Sequence, residues 1–227
     1  MDLTFSPARF VDTDQFLSWE RGLGWDVEIT QLSPGTNEIG FDHTIFPGLL
    51  VGHFQARQAI QGRFALPSGM VLFVLFRKPQ PLRWNGAELP PNLMGIVHPG
   101  RTHWVIQQPG WDCYEFMVSE ELVRRTEIFP PSFFDRTTDS DRPILPLQPT
   151  VTRRFVRGLD RMFREIRSPG GSQPSTAKTA GYYEFLLSGM RSVVDTGLRS
   201  TQWDSPRPTR RADLVDQARE YIRSHVR

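Results

Sequence analysis

The sequence predicts an α+β protein in which a small antiparallel β-barrel precedes a set of helices, and three observations carry that prediction. From Trp25 to Val118, short apolar or alternating runs recur between Gly, Pro and Asn, with no helical segment among them. In "RWNGAEL", Asn85 and Gly86 stand between two strand-like arms, where a two-residue hairpin turn requires positive φ at both positions. Past Thr150 the spacing changes to amphipathic stripes with a helical period. Helices segregated to one end of an antiparallel β-structure make an α+β arrangement.

Taken in order, "TDQFLSWERGLG" predicts a short helix that Gly22 and Gly24 would end. The strand-like runs then follow: "WDVEITQL", "GLLVGHFQAR", "GRFAL", "GMVLFVLF", "PLRW", "AEL", "LMGIVH", "THWVIQQ" and "WDCYEFMV". The run "GMVLFVLF" is apolar on both faces, so it belongs at the centre with cover on each side. Ser119 is placed to cap a helix whose first turn carries Glu120 and Glu121, favourable against the helix dipole. "FPPSFFDRTTDSDRPILPLQP" reads as a connection. Phe155, Leu159, Met162, Phe163 and Ile166 form the stripe of one helix, and "SPGGSQPS" breaks it. A second helix aligns Tyr183, Leu186, Leu187, Met190, Val193 and Val194, a stripe wide enough for its own barrel or for a second subunit. "DSPRPTRR" is a linker by composition, and Leu214, Val215, Ala218, Tyr221 and Ile222 mark a terminal helix.

Composition bounds the function. The 227 residues suffice for a sizeable core, and the longest apolar run, Met70 to Phe76, is far below the roughly 20 residues of a membrane-spanning helix. No secretory signal is visible at "MDLTFSPARF", and the single Cys113 allows no internal disulfide, so a cytoplasmic location is expected. Net charge is +2 but uneven: residues 1–149 carry 12 Lys and Arg against 17 Asp and Glu, whereas residues 150–227 carry 15 against 8. That asymmetry fits either a face toward nucleic acid or a solvated helix surface.

Catalytic motifs are lacking. There is no P-loop, G-x-S-x-G or G-x-G-x-x-G, and no cofactor is implied. The histidines are His43, His53, His98, His103 and His225, none of them in His-x-His. "MGIVHPGRTHWVI" resembles the later half of a cupin signature, but without its first half a metal site is not expected. Cys113 reads as a buried structural thiol. A ligand pocket in the barrel is the remaining chemistry, and aromatic walls with a few polar groups are what such pockets use. The candidate ligand contacts are His53, Phe73, Trp84, His98, His103, Trp104 and Tyr114.

The order of these features resembles the AraC/XylS family of bacterial transcription regulators. The resemblance rests on "ALPSGMVLFVLF", "RWNGAEL" and "MGIVHPGRTHWVI", on the paired helices between Thr150 and Gly197, and on "ADLVDQAREYIRSH", and runs from about Trp25 to the end. It implies a cupin-like sensing barrel with its N-terminal helix and connection over residues 1–149, and a helical dimerisation segment over 150–199. Residues 200–227 would then be a linker and the first helix of a DNA-binding unit that lies beyond this chain. It further implies a small-molecule effector, a homodimer using Tyr183, Leu186, Leu187, Met190 and Val194, and DNA contact through helix-turn-helix motifs. The alternative is a metal-dependent cupin-type enzyme drawing on His98 and His103.

Overall fold

The computed structural model describes residues 4–77, 82–89, 92–126, 144–167 and 174–199. The strands are β1 (Thr4–Phe10), β2 (Asp26–Gln31), β3 (Ile39–Phe46), β4 (Leu49–Ala56), β5 (Ile60–Ala65) and β6 (Met70–Phe76), then β7 (Leu82–Trp84), β8 (Ala87–Leu89), β9 (Leu93–Val97), β10 (Thr102–Gln107), β11 (Trp111–Ser119) and β12 (Ile144–Pro146). The helices among the described residues are α1 (Thr13–Gly22), α2 (Glu120–Thr126), α3 (Pro149–Ile166) and α4 (Thr176–Leu198). One antiparallel sheet has seven strands in the order β1-β3-β4-β11-β6-β9-β12, and the other has five in the order β2-β5-β10-β7-β8.

The α+β class expected from the sequence is present, but the barrel is not closed. Among the described residues each strand hydrogen-bonds within one sheet only, which leaves β1 and β12 as edges of the larger sheet and β2 and β8 as edges of the smaller. The two sheets face one another instead, and side chains from both fill the space between them. Phe41, Phe54, Leu72 and Trp111 come from the larger sheet, and Trp84 and Val105 from the smaller.

Local rules account for most element ends. Asp12 accepts the Gln15 backbone N–H at 2.8 Å and starts α1. Ser119 Oγ accepts the Leu122 N–H at 3.2 Å and starts α2. Asn85 (φ 48°) and Gly86 (φ 80°) turn β7 into β8, with Trp84 paired to Ala87. Three strands lie outside the runs that the sequence marked. They are β1, β3, whose middle holds the polar residues Asp42, His43 and Thr44, and β12, inside the Pro-rich stretch read as a connection.

The larger sheet is covered on both faces. Along β6, Leu72 and Val74 enter the inter-sheet core, while Val71, Phe73 and Leu75 join the core beneath the helices. That is the two-sided cover its unbroken apolar run required. Phe155, Leu159, Met162 and Phe163 of α3 lie in that second core with Leu186, Met190, Val193 and Val194 of α4. Burial of each such side chain stabilises by about 1.5–3 kcal/mol. The helices therefore share one core with the seven-stranded sheet. Of the residues assigned to a dimer contact, Leu186, Met190 and Val194 are buried within the chain itself. Tyr183 stacks on Phe46 and donates its hydroxyl to the Pro47 carbonyl at 3.0 Å, and Leu187 packs half-buried at the core's edge.

The two helices approach closely because each offers a glycine to the other's phenylalanine. A Cβ on Gly158 would lie 2.3 Å from Phe185, and one on Gly189 would lie 2.2 Å from Phe155. No helix among the described residues is long and apolar enough to cross a membrane. The 127–143 connection, most of "SPGGSQPS", and everything from residue 200 on, including the terminal stripe and His225, fall outside the described residues.

Candidate functional site

Between the two sheets lies a cavity of about 620 Å³, counting the solvent space at its mouth. Alternation along each strand decides what reaches it. On β11, Trp111 and Glu115 face the cavity, and Tyr114 faces the helices. On β10, Val105 and Gln107 face it. Phe54 of β4, Phe64 of β5 and Trp84 of β7 add aromatic wall, and α1 contributes Phe16 and Glu20, one helical turn apart. Trp25, between α1 and β2, contributes a further ring.

Two local features hold these walls. Gly95 on β9 leaves the space in which the Trp84 ring lies, since a Cβ there would come within 2.4 Å of it. The Trp84 indole N–H donates to His103 Nδ1 at 3.0 Å, and the His103 ring stacks on Phe64 at 5.9 Å. Burial, then the neighbouring His98 and Arg101, lowers the His103 pKa to about 3, so the ring is neutral and Nδ1 is free to accept. His98 is likewise lowered, to about 4, by burial and then by Arg101.

The polar content of the cavity is acidic. Glu20 and Glu115 both line it, and among the described residues no Arg, Lys or His does. Both side chains are half-buried. Burial raises Glu115 to about 7. Burial, then the charge of Glu115, pushes Glu20 well above its usual value. Among the described residues, the hydrogen-bonding contact to Glu115 is the Cys113 thiol at 3.9 Å, too long to count for much. Gln107 is only 7% exposed, and among the described residues its Oε1 has no hydrogen-bond partner. Chemically, such a cavity is able to retain protons or to receive a cation with an apolar body.

On the opposite face of the same sheet, a charged network ties the strands to α3. His53 Nε2 donates to Asp112 Oδ1 at 2.8 Å, and Arg167 donates to His53 Nδ1 at 2.6 Å, which fixes the imidazole tautomer. Arg77 bridges Asp112 at 2.7 Å and Asp160 at 2.8 Å, and Tyr114 donates its hydroxyl to Asp160 at 2.7 Å. Arg167 reaches the buried Asp42 at 2.6 Å, and Arg9 pairs with the same carboxylate. Burial alone would raise Asp112, but the hydrogen bond from His53 and the charge of Arg77 outweigh it and hold the carboxyl below its ordinary value. Burial and the bond to Asp160 push the Tyr114 phenol upward.

Of the seven ligand contacts expected from the sequence, only Trp84 lines the cavity. His103 backs it from behind Trp84, and His98 lies buried near His103. His53, Phe73 and Tyr114 point to the helix side of the larger sheet, and Trp104 lies on the opposite face of β10 from Val105 and Gln107. For His53, Phe73, Trp104 and Tyr114 the difference is one of strand parity, because a shift of one residue moves a side chain to the other face. Glu20, Glu115 and Gln107 were missed. Their signal was the pairing of Trp111 with Glu115 at even spacing on β11 and of Phe16 with Glu20 one turn apart in α1. Cys113, expected as a structural thiol, is buried, accepts the Trp111 indole N–H at 3.1 Å, and has its pKa pushed up by burial.

Among the described residues, no group of three or more His, Cys, Asp or Glu is placed to hold a metal ion. No protein-family model matches the chain, and no curated protein matches it significantly.

Proposed function

We propose that this chain is the ligand-sensing and dimerisation region of a DNA-binding transcription regulator of the AraC kind. Its cupin-like unit, the two facing sheets, takes a small-molecule effector in the cavity between them. One observation carries the reading: the cavity and the helix pair lie on opposite faces of one sheet. Strands β4, β6 and β11 send alternate side chains to each, so Trp111 and Glu115 look into the cavity and Tyr114 and Phe116 into the helices. An effector that repositions β11 must move the attachments of Asp112 and Tyr114 to Arg77 and Asp160, and with them α3. To act as a switch, the effector must prefer one helix arrangement over another, since equal affinity for both shifts nothing.

The metal-dependent enzyme draws on His98 and His103, and neither lines the cavity. The regulator reading is tested by footprinting the full gene product on DNA flanking its own gene, with sedimentation equilibrium for the homodimer. Protection of two half-sites on one face of the duplex supports it. A monomer that protects no DNA at low salt contradicts it.

A further inference from the structure

Most of the cavity wall is aromatic or aliphatic, which alone would suit a neutral apolar molecule. Its polar groups narrow the class. Glu20 and Glu115 arrive from different elements, α1 and β11, and among the described residues neither carboxylate has a cationic partner. Two carboxyls facing one apolar space are costly unless they stay protonated or meet a positive charge. Gln107 is a third and independent sign, a buried acceptor on β10 whose oxygen is unsatisfied. An unmet acceptor of this kind costs about 1–3 kcal/mol, which an N–H donor in the cavity would recover. Around these groups stand the rings of Trp25, Trp84 and Trp111, whose π faces attract a cation and exclude anions.

We infer that the cavity binds a protonated primary or secondary amine carrying a compact apolar or aromatic body, an assignment that rests on the cavity being the effector site. The ammonium lies between Glu20 and Glu115, one N–H reaches Gln107 Oε1, and the body lies among the tryptophan rings. A quaternary ammonium has no N–H for Gln107 and binds less well; a carboxylate meets two acids and is rejected. Burial raises Glu115 to about 7 and Glu20 well above its usual value, and a cation held between them favours the ionised form of both.

The test uses benzylamine, benzyl alcohol and benzoate, which share one body and differ in charge. Binding is read by calorimetry at pH 8 and by tryptophan fluorescence, since three indoles line the cavity. Benzylamine should bind saturably and at least about tenfold more tightly than benzyl alcohol, the size of one charge-assisted hydrogen bond. Glu115→Gln should remove that preference, and a cooperative urea transition like that of wild type shows that the variant is folded. Equal affinity for amine and alcohol, tighter binding of benzoate, or no saturable binding of benzylamine up to about 10 mM overturns the amine assignment. So does full retention of amine preference in both Glu115→Gln and Glu20→Gln. If benzyl alcohol alone binds and alters the helix pair, the sensor reading stands without the amine. If benzylamine binds as described while the dimer and its DNA contacts stay unaltered at saturation, the cavity chemistry stands and the sensor reading falls.

Discussion

Glu115 gives the protein a stability that should fall as pH rises, and Glu115→Gln should abolish much of that dependence. In the folded chain the carboxyl holds its proton up to about 7, against 4.5 for the reference carboxyl. Between those values the folded state binds the extra proton, so stability declines with increasing pH across that window. Below 4.5 both states are protonated and there is no penalty; above about 7 the full penalty is present. The interval corresponds to roughly 3 kcal/mol. The groups that face Glu115 are Glu20 from α1 and the Cys113 thiol on β11, while the remaining walls present apolar and aromatic side chains and Gln107. Loss of the Glu115 charge also lets Glu20 ionise more easily, an effect of the same sign. Urea denaturation of wild type and Glu115→Gln at pH 5, 6, 7 and 8 measures it. The variant should gain on wild type by about 2.5 kcal/mol between the lowest and highest pH, or about 5–10 °C in Tm for a chain this size. A separation that is constant with pH, or a variant that loses ground at pH 8, refutes the reasoning.

Gly189→Ala and Gly158→Ala each place a Cβ inside a phenylalanine ring of the facing helix, so each should cost about 1–3 kcal/mol by thermal unfolding. Pairing Gly189→Ala with Phe155→Leu should recover part of that loss. Gly95→Ala should displace Trp84, change tryptophan fluorescence and lower Tm by a few degrees. Asp112→Asn removes the charge that binds His53 to Arg77 and should cost about 2–4 kcal/mol at pH 7 in chemical denaturation. Because the folded Asp112 pKa is depressed, its contribution is present above the ordinary carboxylate range and fades as pH falls below it.

The parts of the fold legible in the sequence are those decided locally. The two-sided apolar run of β6 announced a central strand, Asn85-Gly86 announced the β7–β8 hairpin, and Ser119 announced the start of α2. What escaped depends on partners far along the chain. β3 reads as polar in its middle because Asp42 is buried only by virtue of Arg9 and Arg167, contributed by other elements. Whether the sheet edges meet is likewise a long-range matter, so short regular strands suggested a closed barrel where two open sheets face each other. The site suffered from the same limit. Glu20 and Glu115 look like ordinary surface charges until α1 is laid across the strands. Neither face of β11 is distinctly polar, so the sequence does not tell whether Tyr114 or its neighbours point inward, and parity decides the matter only once β4 and β6 flank it.

The central claim is that the larger sheet carries the state of the cavity to the helices on its other side. Hydrogen exchange read peptide by peptide tests it most directly, comparing free protein with protein saturated by whichever benzyl compound binds tightest. Exchange in α3, above all around Asp160 and toward Arg167, should change along with that of β11. Protection confined to α1 and the strands around the cavity, with α3 and α4 exchanging as before, would contradict the account.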